Sequence, residues 1–472
     1  MDEQTNFEPL AQPEKTKKKI FIPIMICSII IIIGILVWVL IVLLTQNKSS
    51  DLSFNLFTND MLGVQVNDKW GFINLKGELI ITPQYDSYDS YYDKSSSLIA
   101  VKSDKKWGYI DSSGTLKISC QYDNAASFHN GLGMIQDGEK CGFIDEKGVT
   151  VIPPQFDDSF SFYDDKMTCV KINDKWGYID RKGNFVINPQ YDSAYSFQKD
   201  VAIVDVGDKY GLINRKGEYI VNPQYEFLSF SGNDSLLCFK SNDKYGYLNT
   251  KGEVVISPTF DYVSEFYNDL AYANKDKKLG YINKKGEFVI SPEYDSTSYF
   301  LSDVAAVKQN DKYGLINKRG EFVVNPQFDS IQLGKELIAV QQNKKWGFIN
   351  SSGEYAITSK YHYASNMFDD GFAVVINDNK KCIIIDKEDK QICNMEFDNI
   401  GNPNIDIPEF CKKEGCYNST NDGDNGYCSE HNTEDDSDTE TDDTLPFCDY
   451  DGCYNRVESS YDNYCSEHSY ME

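Results

Sequence analysis

Residues 174–192 read DKWGYIDRKGNFVINPQYD. Sixty-nine residues on, 243–261 read DKYGYLNTKGEVVISPTFD. The chain therefore repeats itself, and the repeat unit sets the architecture more than the total of 472 residues does. With the Trp of Trp-Gly as position 0, the unit recurs at Trp70, Trp107, Cys141, Trp176, Tyr210, Tyr245, Leu279, Tyr313, Trp346 and Cys382, in steps of 33 to 37 residues. Position +1 is Gly in nine of these ten copies and +4 is Asp or Asn in all ten. Position +7 is Gly in nine, +13 is Pro in seven, and +15 is Tyr or Phe in all ten.

Each of these positions has a local reason. Before position 0 the chain alternates, as in Leu98-Ile99-Ala100-Val101, then meets Asp104-Lys105-Lys106, which reads as a strand and a turn. Trp-Gly-Tyr-Ile reads as a second strand whose Gly admits another backbone closely. Asp or Asn at +4 can bond the backbone two residues on and open a turn. Gly at +7 supplies the positive φ such a turn needs. The apolar run at +9 to +11, such as Phe185-Val186-Ile187, reads as a third strand, which Pro at +13 should end because it cannot donate to a ladder. The expected unit is a three-stranded antiparallel meander followed by a loop holding Tyr/Phe and Asp.

These units resemble the bacterial WG-repeat family of short β repeats over about 54–398. The resemblance implies an all-β repeat scaffold and brings little mechanism. A unit of about 35 residues cannot bury enough apolar area alone, so neighbours must stack. Propeller blades usually have four strands and number 4–8. Ten shorter units therefore point to an open solenoid, with a closed toroid or propeller as the alternative.

The repeated aromatic has two readings. It fills the core between adjacent units, or Trp70, Trp107, Trp176 and Trp346 form slots for cell-wall glycans or choline-type cations. The Asp and Asn at +4 and the Asp at +16 read as turn residues. An enzyme acting on envelope polymers would need one repeat whose acidic residues break the pattern, and none stands out.

Outside the repeats, Ile20 to Leu44 is a 25-residue run without a charge. That is long enough to span a bilayer and too long for a signal peptide. Lys15, Lys17, Lys18 and Lys19 precede it against Lys48 after it, so the N-terminus should stay in the cytoplasm and the repeats lie outside. Net charge is -27, and residues 401–472 carry 19 Asp and Glu against 3 Lys and Arg. So acidic a chain is repelled by phosphate backbones, which argues against nucleic acid as a partner.

The end of the chain carries C-x4-C-x11-C-x2-H twice: Cys411, Cys416, Cys428 and His431, then Cys448, Cys453, Cys465 and His468. Three thiolates and one imidazole complete a tetrahedral shell of the kind structural zinc takes. Disulfides, the alternative, would leave one Cys unpaired in each module. Two zinc ions are expected.

The expected organisation is a cytoplasmic segment 1–19, a transmembrane helix 20–45, a linker 46–53, and the repeat array 54–400. A linker 401–410, the first zinc module 411–431, an acidic linker 432–447, the second module 448–468 and a short end 469–472 follow. The expected role is that of a single-pass bacterial surface scaffold in the cell membrane, binding proteins or envelope material without catalysis.

Overall fold

The computed structural model describes Leu56 and residues 60–90, 98–164, 166–232, 235–267 and 269–401. All belong to one compact unit, Ser53–Glu472. The expected transmembrane segment and both Cys/His modules lie outside the described residues.

The unit around Trp176 shows how the sequence builds a blade. Four antiparallel strands, Asp158–Ser159, Met167–Ile172, Lys175–Asp180 and Phe185–Tyr191, lie side by side in chain order. Asn173 and Asp174 join the second and third with φ of 50° and 59°. That is the conformation of a two-residue type I′ hairpin, which Asn and Asp tolerate. At the next turn Asp180 Oδ1 accepts the N–H groups of Lys182 (2.8 Å) and Asn184 (2.9 Å). Gly183 follows at φ +83°. The +4 and +7 positions thus make the Asx turn that the sequence implies.

Two local expectations need correction. The unit has four strands: the stretch after the Tyr-Asp pair, read as loop, contributes a short first strand to the next sheet. Nor does Pro189 end its strand. The third and fourth strands pair Trp176 with Tyr191 but Tyr178 with Ile187, so extra residues on the fourth strand form a bulge. Pro189 sits in that bulge, where no N–H is required, and the strand runs on to Tyr191. Gly177 is glycine because a Cβ there would lie 2.6 Å from Ile187 O and Pro189 N.

The larger correction concerns closure. The described residues form ten sheets, and the array is a closed propeller, not an open solenoid. Met61–Val66, Lys69–Asn74 and Leu79–Tyr85 make three strands of blade one, and Asn399–Gly401 supplies its missing first strand. The apolar cores explain the ring. Each blade is too thin to have its own, and the clusters lie at the junctions. Cys169, Tyr178, Ile187 and Tyr191 of blade four meet Ala202, Val204 and Ile213 of blade five. Val374, Ile376, Cys382 and Ile384 of blade ten meet Leu62, Val64 and Ile73 of blade one in the same way. An open array would leave those two faces in water, at about 25 cal/mol for every Å² exposed. Blade ten is the weakest copy: lacking Gly at +1, it keeps three strands plus isolated bridges Cys382↔Phe397 and Ile385↔Gln391.

In each complete blade the short first strand and the long fourth strand form the two edges of the sheet, and the fourth is taken as the outer one.

Candidate functional site

The rings read as possible ligand slots pack at the blade junctions. Trp346 is buried, and Trp70, Trp107 and Trp176 are half-buried against the clusters beside them. Trp176 meets Phe160 at 5.3 Å between ring centres, and Trp70 meets Tyr88 at 5.1 Å. Lys102 Nζ lies 5.8 Å from the centre of Trp107. The structure does not bring the four rings together into one row, since each belongs to its own junction.

The +16 carboxylates act as clasps. Asp157 pairs with Lys140 of its own repeat and accepts the N–H of Asn173, in the next blade's hairpin, at 2.7 Å. Asp123, Asp192, Asp261, Asp329 and Asp398 repeat both bonds. The Lys partner holds these carboxyls below their ordinary range.

Two features were not legible in the repeat pattern. The first is a belt. At +9 and +10 the outer strands expose apolar side chains: Leu79 and Ile80, Leu116, Val151, Phe185 and Val186, Tyr219, Val254 and Val255, Val289, Phe322 and Val323, and Tyr355. Nine of the ten blades contribute. The strand was expected, but which face it would turn to water was not, because that depends on the bulge.

The second feature corrects the expectation that no repeat carries a pattern-breaking acid. Blade seven carries Glu265 between its first strand, Tyr262–Val263, and its second, Ala271–Lys275. The same position holds Ser90, Ser127, Ser161 and Ser196 in other repeats. Glu265 is half-buried and accepts the N–H of Gly232 from blade six. Burial raises its carboxyl to about 7 despite that bond. No ion pair to Glu265 exists among the described residues.

Tyr272 of blade seven feels its charge and belongs to a chain of four half-buried tyrosines. Tyr272 meets Tyr299 of blade eight at 5.2 Å and Tyr262 at 6.1 Å, and Tyr267 meets Tyr299 at 6.0 Å. The hydroxyl of Tyr272 bonds those of Tyr262 and Tyr299. Tyr272 is as irregular as Glu265: its counterparts are Gly63, Ala100, Met134, Cys169, Ile203, Cys238, Ala306, Ala339 and Val375. Aligning the segment after +16 would have exposed both departures.

Among the described residues no cluster of three or more His, Cys, Asp or Glu could hold a metal, and no helix is long and apolar enough to cross a membrane. Six cysteines there are free, and burial pushes up the thiol of Cys382 to about 12.

No curated protein matches the sequence. Among solved structures the chain is similar to a eukaryotic initiation factor at TM-score 0.46 and 9% identity, covering 72% of this chain and 96% of that one. It is also similar to BamB from Moraxella catarrhalis, at 0.30 and 10% over 65% and 98% of the two chains. AztD from Citrobacter koseri stands at 0.30 and 13%, over 72% and 96%. Likeness at these scores and identities says nothing about a ligand. The model of the WG containing repeat matches nine times in succession, at 70–107, 107–141, 142–176, 176–210, 210–245, 245–278, 280–313, 313–346 and 346–380. With that succession spanning most of the chain, the protein belongs to the WG containing repeat family.

Proposed function

We propose that this is a membrane-anchored, surface-exposed binding scaffold that engages a protein or envelope material through a surface shared by many blades and does no chemistry. The belt of exposed apolar pairs on the outer strands supports this reading most directly. Isolated exposed apolar residues are ordinary on any surface, but the same positions exposed blade after blade make a repeated contact edge. Pro at +13 and the bulge protect that edge from pairing with another sheet. The anchor at 20–45 holds the ring at the membrane, and the two Cys/His modules hold one structural zinc each. The acidic charge of -27 keeps nucleic acid off.

The test is to replace Val186, Val255 and Val323 with Lys, singly and together, in the full-length chain. Retention on envelope fractions should weaken in steps, because each blade adds a similar small increment. Complete loss from one substitution, or none from the triple, would sink the shared-surface reading.

A further inference from the structure

The Glu265 cluster stands apart from the belt, and a scaffold does not need it. Blade seven departs from the other repeats at two positions about a turn apart, and both departures meet in space. The carboxyl stands where four repeats have Ser and others have Phe230, Tyr299, Leu333 and Asn366, and a tyrosine replaces a small or aliphatic residue. Packing does not demand either change, since the junctions of the other blades close without them.

Three observations define what the cluster can hold. Glu265 has no cationic partner among the described residues, and a half-buried carboxylate without one is costly. The titratable groups that sense its charge are Cys238 of blade six and Tyr272 of blade seven, both neutral at neutral pH. Tyr272, the ring that feels the carboxyl, packs at 5.2 Å on Tyr299 and at 6.1 Å on Tyr262, and Tyr299 meets Tyr267 edge to face at 6.0 Å. Ring faces attract cations through their quadrupole, and more strongly where water is excluded. A chain of rings joined to a carboxyl that lacks a cationic partner among the described residues favours an ammonium nitrogen that carries alkyl groups. A hard inorganic cation would need several oxygen ligands, and among the described residues no group of three or more His, Cys, Asp or Glu could supply them.

We propose that Glu265 and Tyr262, Tyr267, Tyr272 and Tyr299 form a binding site for an organic ammonium group. The carboxylate pairs with the charge and the rings cover its alkyl surface. The site is specific to one blade, so it binds one ligand per ring. It is independent of the shared outer surface.

The other repeats supply test variants that should fold. Glu265→Ser restores the residue of four sibling blades, and Tyr272→Ala that of three. Methylammonium and tetramethylammonium would be titrated calorimetrically into the full-length chain, with tert-butanol as a neutral control. The wild type should bind one ammonium per chain and no tert-butanol. Preference for methylammonium would identify an N–H donor paired with the carboxylate, and preference for tetramethylammonium a ligand held mainly by the rings. Each variant should bind at least tenfold more weakly with its melting curve preserved. Affinity should rise with pH up to about 7 as the carboxyl ionises, then level off, and Glu265→Gln should flatten that profile. Wild-type binding no tighter than that of the double variant, or a pH profile unchanged by Glu265→Gln, would overturn the proposal.

Discussion

Asn67 donates its backbone N–H to Asp398 Oδ2 at 2.7 Å across 331 residues of chain. Asn173 makes the same bond to Asp157, at the same distance, across 16 residues. The seam that closes the ring is therefore built like the junctions inside it. Lys381 pairs with Asp398 as Lys140 pairs with Asp157. What differs is what the bond holds shut.

Asp398→Ala and Asp157→Ala remove equivalent charge-assisted hydrogen bonds. Their kinetic effects should differ. Loss at Asp398 frees the seam between blades one and ten, whose pairing among the described residues is Gln65–Asn399, Val64–Ile400 and Gly63–Gly401. Hydrogen exchange at Val64 should rise by more in Asp398→Ala than exchange at Val170 does in Asp157→Ala. Equal rises would mean the seam has no special role.

Gly252 and Gly131 both have positive φ, at +80° and +77°. A Cβ at Gly131 meets nothing within 4 Å, whereas at Gly252 it lies 2.6 Å from Val221 Cγ2 of the preceding blade. Gly131→Ala should cost only the left-handed penalty, about 1–2 kcal/mol. Gly252→Ala should cost more, because blades five and six must part. Denaturant melts of the two variants check this.

Trp176 is half-buried against Phe160 and the junction of blades four and five. Trp176→Ala should destabilise by about 3 kcal/mol, the lower end for large aromatic truncations, because part of the ring already faces water. An unchanged melting curve with lost retention on glycan would return the ring to ligand binding.

Acid and base act oppositely on the two kinds of carboxyl. The clasp aspartates titrate below their unfolded value of 3.8, so their contribution is present above that value and is lost as pH falls through the folded one. Glu265 titrates above its unfolded value of 4.5, at about 7. Between those two values the unfolded chain ionises first, so stability falls as pH rises, by up to about 3 kcal/mol. Glu265→Ser should remove that decline, giving a variant more stable than wild type at pH 8 and little changed at pH 4. A parallel shift at both pH values would show that the charge is not the cause.

The duplicated Cys3His spacing at 411–431 and 448–468 leads to an expectation of about two zinc ions per chain by elemental analysis under reducing conditions. His431→Ala with His468→Ala should lower both occupancy and affinity. A metal-free chain with all six of these thiols oxidised would favour disulfides.

The sequence by itself determined what is local. The period, the hairpin at Asn173-Asp174 and the Asx turn at Asp180 depend on bonds within five residues, and residue type alone selects them. The glycine at 177 was legible as a close approach, but not as the seat of a bulge, because the partner backbone arrives from another strand. Only the tertiary structure decided closure. Whether ten units end in a helix or a ring depends on a small rotation per blade summed over the whole array, and no single residue records it. The final pairing of Val64 with Ile400 uses backbone groups any sequence would offer. Glu265 was visible as a letter throughout. Its meaning required folding, because Gly232 of blade six and Tyr272 of blade seven reach it only in the folded ring, and burial is what makes a carboxyl there consequential.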